Sequence, residues 1–136
     1  MSLRNDLLRE ILDHCTHASF EECCGLLIGR RVGDEVIVEK IKKAKNIYPY
    51  DKRVGYIVDP LDYLEAEKEA EKNRLEVLGV YHSHIWIGPS PSMRDWEQAI
   101  PGYIYLIISL NPEISYKAWI MEKDGKRFKE VEIKII

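Results

Sequence analysis

The residues with the clearest chemical potential lie in one segment, His82-Ser83-His84-Ile85-Trp86-Ile87-Gly88-Pro89-Ser90-Pro91-Ser92-Met93-Arg94-Asp95. Histidines at i and i+2 in extended backbone project to the same side, so both imidazoles can converge on one metal ion. Zinc accepts imidazole nitrogen and carboxylate oxygen, and a catalytic site keeps a fourth position open for water. Asp95, brought back by the proline-containing loop, is the third protein ligand in that reading. A plainer reading exists for each part. A histidine pair can be a polar exit from a core, and Ser92-Met93-Arg94-Asp95 fits the Ser-x-x-Asp form of a helix-capping box. Capping and ligation are compatible, and the conjunction of four such side chains at one loop favours the metal.

The elements that must position these residues follow from periodicity. Leu3, Leu7, Leu8, Ile11, Leu12 and Cys15 recur at helical spacing and predict an amphipathic first helix ending near His17. Cys23–Ile28 is a short apolar run closed by Gly29, suited to a strand buried on both faces. Arg31–Asp34 form a turn into a strand over Glu35–Lys43, and Ile47–Gly55 reads as loop. Pro60 opens a second helix, where proline is tolerated at the first position. Leu61, Leu64 and Leu75 mark its inner side, and its acids and lysines the wet side. Leu75–Tyr81 is a strand running into His82, and helix resumes over Ser92–Ala99. Tyr103–Leu110, Tyr116–Glu122 and Phe128–Ile136 are strands, the last two joined at Asp124-Gly125. Two or three helices with about six strands imply an α+β fold, a mixed α/β sandwich.

Composition narrows the function classes. With 136 residues, 46% hydrophobic and 32% charged, the chain reads as a single domain, 1–136, with a real core. The net charge is −3, and no basic stripe suits nucleic acid. The densest basic run, Lys42, Lys43 and Lys45, reads as the solvated side of a strand end. No apolar run approaches the roughly 20 residues that span a bilayer, and Met1–Asp13 lacks the apolar centre of a signal peptide. Three cysteines, two of them adjacent, argue against a disulfide framework, and a cytoplasmic location is expected. A bridge from Cys15 to either Cys23 or Cys24 stays open. A cysteine in an apolar strand is ordinarily packing, not a nucleophile. His14 and His17, near the end of the first helix, suit the helix dipole.

The His-Ser-His loop resembles the JAMM/MPN+ metalloprotease signature, His-x-His, seven residues, Ser, two residues, Asp. Seven residues, Ile85–Pro91, separate His84 from Ser92, and two separate Ser92 from Asp95. The family also places a glutamate just before a Cys-Gly-Leu-Leu-x-Gly strand, and Glu22 stands there, ahead of Cys23-Cys24-Gly25-Leu26-Leu27-Ile28-Gly29. Tyr56-Ile57-Val58-Asp59-Pro60 resembles the family's aromatic-x-aliphatic-Asp-Pro segment. Two positions depart from the pattern: Ile85 and Phe20 stand where the family usually or often has proline.

The resemblance implies an MPN/JAB-like, cytidine-deaminase-like sheet flanked by helices. It implies one zinc ion per chain on His82, His84 and Asp95, lowering the pKa of a bound water toward about 7. Glu22 is then the general acid/base and Ser92 the donor to the tetrahedral oxyanion. Position alone does not separate Glu22 from Glu21; the family register does. The implied partners are a ubiquitin-like or sulfur-carrier modifier and its conjugates, with no nucleic acid or membrane, and exposed apolar residues suggest a homodimer. The implied activity is isopeptide hydrolysis. The alternatives are removal of a C-terminal cysteine or peptide from a sulfur-carrier protein, and a metal-free MPN scaffold. Trp86 and Ile87 are either core or an exposed contact for a partner's tail.

Overall fold

A computed structural model describes residues 1–18 and 20–136. Eight strands form one sheet: β1 (Ser2–Leu3), β2 (Cys24–Val32), β3 (Glu35–Ala44), β4 (Glu76–His84), β5 (Ile104–Ser109), β6 (Ser115–Met121), β7 (Phe128–Val131) and β8 (Lys134–Ile135). Three helices accompany them: α1 (Asn5–His17), α2 (Pro60–Lys72) and α3 (Met93–Gln98). The strand order is β7-β6-β5-β4-β2-β3-β1-β8. β7 and β8 therefore lie at opposite ends of the order, although only Glu132 and Ile133 separate them in sequence. Such a link spans no more than about 11 Å, so the sheet must curl until its edges nearly meet.

The expected strand over Phe128–Ile136 is thus two short strands serving opposite edges. The first helix also starts later than expected. Ser2 and Leu3 pair in parallel with both β3 and β8, and the Leu3 side chain is fully buried. The N-terminal apolar residue is spent on the sheet edge instead of the helix.

Side-chain alternation sorts the core into two faces. Leu7, Leu8 and Ile11 of α1 pack with Leu27, Leu78, Tyr81, Leu106 and Ile108. On the other face Ala66 and Ala70 of α2 meet Leu26, Ile28, Val80 and Tyr105. This alternation also explains the cysteines. Adjacent residues of an extended chain point to opposite faces, so Cys23 faces α1 and Cys24 faces α2. Cys15, on the buried side of α1, is joined to Cys23 in a disulfide with a Cα–Cα distance of 5.3 Å. Of the two bridges the sequence left open, from Cys15 to Cys23 or to Cys24, the first is the one that forms. Cys24 is buried packing, its thiol pushed up to about 12 by burial.

Two further boundaries differ from expectation. β2 runs through Gly29 to Val32, because β3 pairs with it over its whole length. A side chain at Gly29 would collide with the Ile37 carbonyl, so the glycine admits a neighbour and does not end the strand. The turn falls on Gly33-Asp34, where Gly33 takes φ +61°.

The inner side of α2 also differs from expectation. Leu61 and Leu64 are exposed, and Ala66 and Ala70 are buried, with Tyr63 packed against the same cluster. Small residues let this helix lie close to the sheet, and a leucine has no room there. The expected wet side does hold: Lys42 pairs with Glu65 at 2.8 Å and Lys40 with Glu69 at 2.9 Å. Asp59 caps α2 by accepting the Leu61 N–H at 2.9 Å. Among the described residues, no helix is long and apolar enough to cross a membrane. Ala66→Leu should lower unfolding stability in denaturant titrations by about 1–3 kcal/mol through overpacking. Leu64→Ser, two residues away, should change it by less than about 0.5 kcal/mol.

Candidate metal and catalytic site

β4 carries both histidines at its C-terminal end, beside the parallel strand β5, with His82 opposite Ile107 and His84 opposite Ser109. Carboxyl ends of parallel strands are where open sheets place ligands. Asp95 returns one turn into α3. Ser92 caps that helix: its Oγ accepts the Asp95 N–H at 3.2 Å, and Asp95 Oδ2 accepts the Ser92 N–H at 2.8 Å. The capping box therefore aims the carboxylate at the histidines.

The three side chains are buried, and their ligand atoms lie within 4.8 Å of one another. His82 Nε2 is 3.1 Å from Asp95 Oδ1, His84 Nε2 is 3.1 Å from Asp95 Oδ2, and the two Nε2 atoms are 3.3 Å apart. A carbonyl can only accept, so His84 Nδ1, 2.9 Å from the Gly88 oxygen, is the donor of that bond. In neutral His84 the Nε2 lone pair then faces a carboxylate oxygen. Two acceptors at that distance need a cation between them, either a proton or a metal ion. His82 Nδ1 is the one buried side-chain nitrogen or oxygen among the described residues without a hydrogen-bond partner. Its ring is held by stacking on Tyr56, with centroids 4.3 Å apart. Two imidazoles and a carboxylate are the donor set that zinc takes in hydrolytic sites, with one position left over.

The electrostatics agree with this reading. Burial pushes Asp95 up, but His82 and His84 outweigh it and hold the carboxyl well below the usual range. Burial also lowers His82. For His84, burial acts downward, but the bonds to Asp95 and Gly88 overcome it and raise its pKa. Glu22 is buried beside this cluster and pushed up to about 8, first by burial; His84 lowers it and Asp95 raises it. Glu21 is exposed, so the structure separates the two acids that position could not.

Several residues that position the site carried no signal in the sequence. Ser83 Oγ accepts the Cys23 N–H at 2.9 Å, and the Ser83 N–H donates to the Cys23 carbonyl at 3.1 Å. This bracket ties the strand between the histidines to the residue after Glu22. Asn46 uses its whole amide: it donates to the Glu22 and Gly55 carbonyls and accepts the Tyr48 and Ile57 N–H groups. The loop after His84 is pinned from β5 and β6. Ser109 Oγ donates to the Ile87 carbonyl, Asn111 to that of Ile85 and the Trp119 indole to that of Pro89. Only Ser109, a polar residue ending an apolar strand, hints at such a role in the sequence. Ile85 is buried, while Trp86 and Ile87 are exposed beside a cleft of about 70 Å3 that Glu22, Arg53 and Ser92 also line. Trp86 is therefore not core. The Arg53 guanidinium lies 5.7 Å from its ring centroid. His14 bonds Tyr81 Oη and His17 donates to the Asp13 carbonyl, and neither joins a metal-ligand cluster among the described residues.

A curled sheet with a His-x-His strand end and a helix-capping aspartate defines a domain of the JAB type. Residues 4–121 match the family described as prokaryotic homologs of the JAB domain, and the chain belongs to that family. It is 36% identical to a desampylase of Pyrococcus furiosus, over 93% of this chain and 84% of the relative. It is 30% identical to a desampylase of Haloferax volcanii, over 99% and 96%. A probable TtuB-protein conjugate cleaving protease of Thermus thermophilus is 36% identical over 68% of this chain and 59% of its own length. The solution structure of a Desulfitobacterium hafniense protein superposes with a TM-score of 0.86 at 35% identity, covering 99% of this chain and 92% of that one.

Metal content should fall as pH is lowered, because ligand imidazoles must be deprotonated. With His84 raised and His82 lowered, His84 takes the first proton. His84→Ala should remove the bound metal altogether, as read by metal analysis of the purified protein.

Proposed function

We propose that this chain, as one catalytic domain over 1–136, is a zinc-dependent isopeptidase. Its substrates are conjugates in which a ubiquitin-like or sulfur-carrier modifier is joined to a lysine side chain. The observation that supports this reading best is the buried His82-His84-Asp95 cluster, whose facing acceptors require a cation, with a buried Glu22 alongside. Kinship with desampylases and a conjugate-cleaving protease points to the substrate class. A metal-free scaffold is disfavoured, because no ligand of the set is missing.

His82, His84 and Asp95 would hold the zinc, which when bound would supply Lewis acidity and lower the pKa of water toward about 7. Glu22 accepts the proton of the attacking water as the new C–O bond forms at the scissile carbonyl. It then returns that proton to the departing lysine amine as the C–N bond breaks. Burial raises the Glu22 carboxyl to about 8 in the metal-free site, and a cation on the adjacent cluster would lower it toward the ionised form that accepts the proton. Ser92 Oγ accepts from the Asp95 N–H, which leaves its own O–H to donate to the oxyanion. Trp86 and Ile87 flank the same cleft on the acyl side and grip the modifier's tail.

Two experiments test these roles. Glu22→Gln should keep its zinc and its fold while the turnover number on a modifier conjugate falls by roughly 10²–10⁴. Glu21→Ala should stay active; a working Glu22→Gln enzyme or a dead Glu21→Ala one means the wrong acid has been assigned. Trp86→Ala should raise KM far more than it lowers zinc content or kcat, the mark of binding shared by ground and transition states. Early melting of that variant would instead make Trp86 structural.

A further inference from the structure

A groove of about 1020 Å3 runs between the end of α1 and the loop at residues 45–53. It shares Glu22 and Arg53 with the small cleft of Trp86 and Ser92, so these two side chains stand between the two spaces. We propose that this groove is the subsite for the acceptor, the polypeptide segment that carries the conjugated lysine. The proposal rests on the isopeptidase reading and assigns its leaving-group side.

Three observations carry it. The first is chemical. The group that hands a proton to the departing amine must face the side on which that amine leaves. Glu22 lines both spaces, whereas the oxyanion donor Ser92 and the tail-gripping Trp86 line only the small cleft. With the acyl chain there, the amine and the chain behind it are left to the groove. The second is size. A lysine side chain alone would leave most of the groove empty, since whole ligands fill pockets of roughly 300–1,000 Å3. The third is surface chemistry. Phe20 is 85% and Tyr50 79% exposed at the groove, yet neither serves the core. Tyr50 is held ready, edge-on to the buried Tyr48 at 5.6 Å. Exposed, preorganised aromatic rings are what protein contact surfaces enrich. Continuity with the catalytic cleft decides the occupant.

The test compares two substrates with one acyl group. In one, a ubiquitin-like modifier is joined through its C-terminal glycine to the lysine of a short peptide. In the other, the same modifier is joined to aminomethylcoumarin, which has no polypeptide on the leaving side. In the variant carrying Phe20→Ala and Tyr50→Ala, the ratio of kcat/KM for the first over the second should fall about five- to tenfold. The variant with Phe20→Tyr and Tyr50→Phe keeps both rings and should retain the wild-type ratio. An unchanged ratio in the double alanine variant, or equal losses on both substrates, would overturn the subsite. Wild-type protein that cleaves neither substrate would sink the isopeptidase reading and the subsite with it.

Discussion

The hydrogen bond from His84 Nδ1 to the Gly88 carbonyl governs the rest of the site. It fixes the ring's tautomer, and so forces the Nε2 lone pair toward Asp95, 3.1 Å away, inside a buried space. Such a face-to-face arrangement of acceptors is unstable without positive charge. Partners that fix the far nitrogen of a ligand imidazole also orient the ring and raise its basicity. A whole layer of structure holds that carbonyl still. Ser109, Asn111 and Trp119 each donate to a carbonyl of residues 85–89, from β5, the turn after it and β6. The departure at Ile85, where the family usually has proline, is absorbed here. The Ile85 side chain is buried and its carbonyl takes the Asn111 amide, so the loop is secured without a proline.

Glu22, the proposed proton shuttle, is placed by a different mechanism, the antiparallel pairing of β2 with β4. Cys24 lies opposite His82, and the Ser83–Cys23 bracket extends the ladder by one step. Glu22 comes just before that bracket and is therefore set beside the histidines by sheet register. The Cys15–Cys23 disulfide anchors the same point to α1, and Asn46 anchors it to the loop at residues 45–58. Two of these restraints act on Cys23 and one on the Glu22 carbonyl, and together they hold the backbone that carries this buried carboxyl.

The two-residue link between β7 and β8 draws the edges of the sheet together. One face is filled by the leucines and isoleucine of α1. On the other face α2 needs only alanines to approach, which frees Leu61 and Leu64 for the surface. Sequence periodicity could identify α2 as a helix but not its inner stripe. Leu61 and Leu64, at i and i+3, fit helical periodicity as well as Ala66 and Ala70, at i and i+4, and only the sheet beneath decides which stripe is covered.

By itself the sequence determined the candidate metal-ligand set and its local geometry. Residue spacing is a local property: i and i+2 share a side of any strand, and Ser92-x-x-Asp95 closes a capping box in any helix that starts there. The elements around the site were legible for the same reason, with boundaries off by a few residues where pairing overrode composition, as at Ser2–Leu3 and Gly29. Only the tertiary structure decided what depends on distant contacts. Cys15 reaches Cys23 and not Cys24 because α1 covers one face of β2. Glu22 is buried and Glu21 exposed because the ladder with β4 sets one residue under the loop at residues 45–58. Asn46, Ser109, Asn111 and Trp119 are ordinary residues in the chain, and their functions come from carbonyls that folding places in front of them.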